Sequence, residues 1–209
     1  MPPAAGSADS RAAVRCRAKG LQSPPACDRR KPVSNATPSR VPLALYAIGL
    51  GSNRRHARFG DPRAVLMAAL TALESDDIEP VDASPIIASE PIGPSRRRYA
   101  NAVALVASPL SPSEMLGRLQ AIEAAFGRRT GQRWSARTLD LDILLWSGGT
   151  WADRDLTIPH PAMASRAFVL GPLRAIAPDW QHPLLGRSVR QLAAKLVRAK
   201  PVDRNASAH

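Results

Sequence analysis

Between Val41 and Gly149 the apolar residues change period in a definite order, and that order restricts the fold more than any single residue does. VPLALYAIGLGSN reads as a buried strand ending in a glycine turn. DPRAVLMAALTALES follows as a helix, with Asp61 as N-cap, Pro62 in the first turn, and Val65, Leu66, Ala69, Leu70 and Leu73 on its apolar face. IEPVDASPIIASEPIG reads as an irregular second strand that breaks at Pro91 and Gly93. YANAVALVAS is a third, with Ala102, Ala104 and Val106 alternating against Val103 and Leu105. SPSEMLGRLQAIEAAFGRR is a helix. Ser111 and Glu114 make a capping box around Pro112, and Met115, Leu116, Leu119, Ile122 and Phe126 recur at helical spacing until Gly127 stops it. TLDLDILLWSGG is the fourth strand, and shorter helical segments near 166–176 and 188–198 close the chain.

Strand, helix, strand, strand, helix, strand is the split βαβ pattern, so the expected class is α+β: a ferredoxin-like sandwich. Strands two and three should form an antiparallel hairpin in an antiparallel-rich sheet with helices packed on it. There are no internal repeats, and one domain is expected over residues 41–200, with a flexible C-terminus at 201–209. Residues 1–40 differ in kind. They hold six of the 20 prolines, eight of the 29 basic residues and only two of the 17 acidic ones, so half of the net charge of +12 belongs to them. Such a Pro/Ala-rich stretch buries too little apolar surface to offset chain entropy and is expected to be disordered. It lacks the apolar centre of a secretory signal and only loosely resembles a transit peptide.

No apolar run approaches the roughly 20 residues that span a bilayer, which excludes a transmembrane helix and a membrane partner. The histidines (His56, His160, His182, His209) and cysteines (Cys16, Cys27) have no zinc-type spacing. Both cysteines lie in the basic tail and read as free thiols of a reducing, cytoplasmic compartment.

The chemistry concentrates in RWSARTLDLDIL. Residues two apart in a strand share a face, their Cβ atoms roughly 6 to 7 Å apart, so Asp140 and Asp142 point together while Leu139, Leu141 and Ile143 face the core. Neighbouring carboxylates repel unless a cation lies between them. Arg128, Arg129, Arg133 and Arg137 are close in sequence and could neutralise them alone. Oxygen ligands at this separation also suit magnesium, which completes its shell with water and phosphate oxygens. Arginine forks and magnesium ligands in one place are reconciled by a polyanion such as a nucleoside triphosphate, which points to phosphoryl or nucleotidyl transfer. The plainer alternative is a solvated sheet face that carries two acids.

The same residues, with LTIPHPAMASRAFVLGPLRAIAP, AIGLGSN, SEPIG, YANAV and the helix bearing Ile122 and Glu123, resemble the 6-hydroxymethyl-7,8-dihydropterin pyrophosphokinase family over about residues 44–185. The resemblance implies a ferredoxin-like, single-domain monomer that transfers pyrophosphate from ATP to the pterin hydroxymethyl group and releases AMP in folate biosynthesis. It implies that Asp140 and Asp142 hold two Mg2+ ions across the triphosphate. Arg128 and Arg137 would stabilise charge on the phosphates, with Arg129, Arg133, His160 and Arg166 as further triphosphate contacts. Glu123, Trp134, Ile143 and Thr157 match the adenosine pocket. For the pterin, Tyr99 and Phe168 match two sandwiching aromatics, Asn101 an amide that reads the ring edge, and Ser89, Pro91 and Ile92 a hydrogen-bonding backbone. A flat heterocycle rich in donors and acceptors wants such faces and such an amide. The loop GSNRRHARFGDP and Arg96 to Arg98 are expected to help cover the bound substrates.

Each residue also has a plainer reading. Tyr99 and Phe168 could be core aromatics, Asn101 a turn residue, His160 part of a loop, and Glu123 part of a solvated helix face; Gly51, Ser52 and Asn53 could merely shape a turn. Departures from the family pattern fall at Ser135 and Ala136, where Gly-Pro is usual, at Thr130, where an arginine is often found, and at Pro161 in place of a tyrosine. Two other functions fit parts of the pattern: an RNA-binding ferredoxin-like module, and a palm-type nucleotidyl transferase. The first needs aromatics displayed on the sheet, and an aromatic content of 4% without an RNA-binding aromatic motif argues against a nucleic-acid partner.

Overall fold

The computed structural model describes residues 42–90, 98–127 and 138–198. The first strand, β1 (Ala44–Ser52), leads through a loop to helix α1 (Pro62–Leu73). Asp61 caps that helix by accepting from the Ala64 N–H at 2.9 Å, so the D-P start works as its chemistry suggests. The irregular second strand is two pieces, β2 (Glu79–Ala83) and β3 (Ile87–Ser89), followed by the long β4 (Tyr99–Ser108). Helix α2 (Pro112–Ala125) carries the predicted capping box: the Ser111 N–H donates to Glu114 Oε2 at 2.8 Å while the Ser111 hydroxyl side accepts from the Glu114 N–H. Hydrogen bonds from Ser111 hold the Glu114 carboxyl below the usual range. Strand β5 (Asp140–Trp146) is followed by β6 (Trp151–Ala152), β7 (Thr157–Ile158) and a 3-10 turn at Met163–Ser165. Helix α3 (Ala167–Ile176), the hairpin β8 (Gln181–His182) and β9 (Arg187–Ser188), and α4 (Val189–Arg198) complete the described fold.

The sheet runs β2-β4-β1-β5, with β3 also on β4, and every neighbouring pair is antiparallel. That is the strand order of a split βαβ: β4 inserts between β1 and β2, and β1 between β4 and β5. Alternation along the strands then builds two cores. On one face Ile48, Leu50, Ala102, Ala104, Leu139, Leu141 and Ile143 meet Val65, Leu66, Leu73, Met115 and Leu119 of α1 and α2. On the other, Ala47, Val103, Leu105, Leu144 and Leu145 meet Leu170, Leu173 and Leu192 of α3 and α4. This second core makes the sheet the middle of three layers.

Two features shape the α3/α4 face of the sheet. β5 carries a bulge: Ala47 pairs with Leu145 and Ile48 with Ile143, so Leu144 is the additional residue. The other is a change in the lining of this face: beyond Gly49 and Val103 toward the β1 C-terminus it carries Gly51, Asn101, Tyr99, Asp140 and Asp142, with Ile87 of β3 opposite Asn101.

Candidate active site

Strand parity assembles the site. Asp140 and Asp142 lie on the α3/α4 face of β5, both half-buried, with buried Leu141 between them on the opposite face. Across the β1 ladder Asp140 pairs with Gly51 and Asp142 with Gly49; Gly51 in turn pairs with Asn101 and Gly49 with Val103. Directly paired residues share a face, so Gly51 lies as a floor between Asp140 and Asn101, while the Leu144 side chain covers Gly49, where an added Cβ would fall 3.2 Å from Leu144 Cδ2. With strands about 4.8 Å apart, acid and amide stand about 10 Å apart across a trough. A Cβ built on Gly51 would reach 3.7 Å from Asn101 Oδ1 and 4.0 Å from the Asp140 Cβ, so it would stand in that trough.

The far wall comes from β4 and β3. Tyr99 and Asn101 share the face of the acids, and β3 sets Ser89 opposite Tyr99. Asn101 is buried, and its Nδ2 donates to Ser89 Oγ at 2.8 Å. This bond fixes which way the amide lies, with Oδ1 toward Gly51. The turn-residue reading of Asn101 fails: it is an interior ladder residue. Tyr99 is half-buried, as an aromatic offered to a ligand should be.

The third wall comes from the segment before α3. The His160 N–H donates to the Leu144 carbonyl at 3.0 Å, which attaches this segment to β5 just beyond Asp142. His160 Nδ1 accepts from the Ala162 N–H at 3.1 Å, so the ring proton resides on Nε2 and that atom is a donor. Arg166 stands at the N-terminus of α3 with its guanidinium carbon 5.8 Å from the centre of the Phe168 ring, a cation–π contact, and Phe168 also packs against the second core. Both side chains are half-buried.

Other expectations are placed differently. Glu123 is not on a solvated helix face. It is buried at 2% exposure in the stripe with Met115 and Leu119, and its Oε1 accepts from the Leu141 N–H at 2.9 Å. The helix phase forces this, because Glu123 follows Leu119 by four residues. Ile143 is a core residue at 3% exposure, on the α1/α2 side of β5 and thus on the opposite face from Asp142. Thr157 is exposed on β7, which packs beside β5. Glu123 and Thr157 therefore lie beside the outer edge of β5 and Ile143 on its α1/α2 face, away from the trough. Ser52 is fully buried and donates to the Thr138 carbonyl at 2.6 Å, tying the G-S-N turn to the entry of β5. Arg98, expected to cover substrates, forms an exposed pair with Glu90 at 3.0 Å. Pro91, Ile92, Arg96, Arg97, Arg128, Arg129, Arg133, Trp134 and Arg137 lie outside the described residues.

The glycines are what sequence reasoning missed. Gly49 and Gly51 are spaced by two, as Asp140 and Asp142 are, and strand period alone puts the pairs on matching faces once their strands adjoin. Among the described residues no group of three or more His, Cys, Asp and Glu side chains converges into a metal cage. The aspartate pair is instead suited to a hard cation that draws its remaining oxygens from water and a phosphorylated ligand. No helix of the described residues is long and apolar enough to cross a membrane.

Fold and site together define a ferredoxin-like α+β sandwich with an open, two-carboxylate sheet face. A model of the 7,8-dihydro-6-hydroxymethylpterin-pyrophosphokinase (HPPK) family matches residues 47–178. A Pseudomonas aeruginosa protein named 2-amino-4-hydroxy-6-hydroxymethyldihydropteridine pyrophosphokinase is 42% identical over 149 residues, covering 70% of this chain and 88% of its own length. One of the same name from Haemophilus influenzae is 39% identical over 160 residues, covering 74% of this chain and 97% of its own. The chain belongs to the HPPK family. In structure it is similar to Plasmodium falciparum HPPK-DHPS, wild type with pteroate, at a TM-score of 0.60 and 14% identity over 75% of this chain. It spans 45% of that longer chain, and at this identity the likeness concerns the fold.

Proposed function

We propose that this chain transfers pyrophosphate from ATP to 6-hydroxymethyl-7,8-dihydropterin, giving AMP and the pterin diphosphate in folate biosynthesis. The supporting observation is a single sheet face that carries Asp140 and Asp142 on one side of a glycine floor and Asn101 and Tyr99 on the other. An anionic chain of phosphates and a flat polar ring each find their matching chemistry there, side by side.

Asp140 and Asp142 hold two Mg2+ ions, whose chemistry when bound is to neutralise the triphosphate and the charge that develops on it. The protein's residues do the rest. His160 donates from Nε2 to a phosphate oxygen, its tautomer fixed by Ala162. Arg166 adds a forked cation beside Phe168. Arg128 and Arg137, with Arg129 and Arg133, meet the phosphates from the segment that joins α2 to β5 in sequence. Trp134 and Thr157 contribute to the adenosine site, Thr157 from β7 beside β5. The pterin ring stacks between Tyr99 and Phe168 and presents its edge to Asn101, whose amide Ser89 orients; backbone at Pro91 and Ile92 completes that recognition. Held so, the hydroxymethyl oxygen attacks the β-phosphorus in line. The bond from the β-phosphorus to the α–β bridging oxygen breaks, AMP departs with that oxygen, and the hydroxyl proton is lost to solvent. The chain acts as a monomer on two small molecules.

The test is product identity. With ATP, Mg2+ and the hydroxymethyl dihydropterin, AMP and the pterin diphosphate are expected. Release of inorganic pyrophosphate instead would assign the palm-type nucleotidyl transferase.

A further inference from the structure

Glu123 occupies a place where the helix asks for an apolar residue. Pro112, Met115, Leu119 and Glu123 are the buried positions of α2, and a leucine there would continue the stripe. Burying a carboxylate is costly unless the group is hydrogen-bonded. Glu123 Oε1 accepts from the Leu141 N–H at 2.9 Å, a bond that an apolar side chain could not make. Leu141 lies between the two acids, and its N–H belongs to the peptide that joins it to Asp140. Strand β5 ends the sheet path, with β1 on its inner side and α2 packed against it. The carboxylate therefore grips the strand from its outer edge, midway between the two acids of the other face.

We propose that Glu123 is a positioning residue: through the Leu141 N–H it fixes the backbone from which Asp140 and Asp142 project. This role rests on the function proposed above, in which both aspartates act together. It makes Glu123 a hydrogen-bond acceptor of defined reach, acting on the site through the strand. A shift of about 1 Å in such a pair is enough to lower turnover about 100-fold, and loss of a partner that orients metal ligands typically weakens metal affinity or activity about 10- to 100-fold.

Two conservative variants separate reach from charge. Glu123→Gln keeps the length and the acceptor and loses the charge; Glu123→Asp keeps the charge and falls one methylene short. Glu123→Gln is expected to keep kcat within about threefold and to leave the Leu141 amide protected in hydrogen exchange followed by NMR. Glu123→Asp is expected to speed Leu141 exchange, to lower kcat about 10- to 100-fold with KM for the pterin unchanged, and to weaken Mn2+ binding in the presence of a non-hydrolysable ATP analogue by a similar factor. Loss of activity in Glu123→Gln, equal behaviour of both variants, or unchanged Leu141 protection in Glu123→Asp would each overturn the proposal. If Glu123→Asp fails to fold, Glu123→Met, of equal length but no acceptor, takes its place with the same expectations. Wild-type protein that makes no AMP from ATP and the pterin would instead remove the parent reading, while the exchange result would still report on the Glu123–Leu141 bond.

Discussion

Replacing Gly51 with alanine separates the fold from the site. Gly51 sits in β1 between Asp140 and Asn101, and its backbone is not among the positive-φ glycines. The nearest atoms to an added Cβ are Asn101 Oδ1 at 3.7 Å and the Asp140 Cβ at 4.0 Å, both ordinary contact distances. The protein itself therefore has room for the methyl. Gly→Ala at a compatible backbone stabilises by about 0.4–1 kcal/mol through the unfolded chain, which for a domain of this size raises Tm by about 1–4 °C. A substrate lying on the floor meets the opposite situation. The methyl raises the floor by about 1.5 Å, the length of one carbon–carbon bond, and displacement of about 1 Å is enough to cost about 100-fold in rate. Gly51→Ala should thus melt at or slightly above the wild-type temperature while kcat/KM for AMP formation falls at least about 100-fold. Thermal melting and an AMP-release assay on the same preparation read both quantities. A variant that keeps kcat/KM within about threefold would mean that neither substrate lies over β1 between the acids and Asn101, and the trough would lose its assignment.

Changing Asp140 and Asp142 together to asparagine removes both charges without changing shape, and turnover should drop at least about 100-fold, measured as AMP release. Chelation of divalent cations should abolish turnover in the wild type, with Mn2+ or Mg2+ restoring it. Gly148→Ala should act on stability alone: its Cβ would fall 2.3 Å from the Trp146 indole, which is itself held between Tyr46 and Trp151, and such overpacking costs about 1–3 kcal/mol, or about 2–10 °C in Tm. A Trp146→Leu background should erase most of that loss. Burial holds the His182 imidazole below its usual pKa of 6.5. The unfolded chain then takes up the proton first, so stability should be level above pH 6.5 and decline as pH falls below it, until the folded protein is protonated too. His182→Phe should flatten that acid-side decline in melts recorded against pH.

The fold was legible because its signals are local. Caps at Asp61 and Ser111, helix stripes, and alternation in β4 and β5 each declare themselves within a dozen residues, and their order implies the sheet. The pairing of Asp140 with Asp142 followed from strand period alone. What stayed hidden depended on which strands become neighbours. Gly49 and Gly51 look like turn glycines until β1 lies between β4 and β5; Gly51 is then the floor beside Asp140, and Gly49 makes room for the Leu144 side chain. Glu123 looks like one more exposed helix acid until α2 rests against the outer edge of β5. The second core was likewise out of reach, because α3 and α4 announce helices but not the sheet face they cover. Ile143 shows the same dependence on neighbours: the motif names the residue, and strand parity places its side chain in the α1/α2 core.

The additional residue at Leu144 governs what kind of change β5 can accept. Before it, Asp140 and Asp142 face the α3/α4 layer; past it, Leu145 faces that same layer and Trp146 meets Tyr46 on the other. Substituting another aliphatic at 144 leaves this arrangement alone. Deleting it makes the two halves of the strand compete for one phase: either the acids turn into the apolar layer beneath α2, or Leu145 and Trp146 trade sides. Length at that spot is therefore a stricter requirement than identity, and a shortened chain would have to give up either its chemistry or its core.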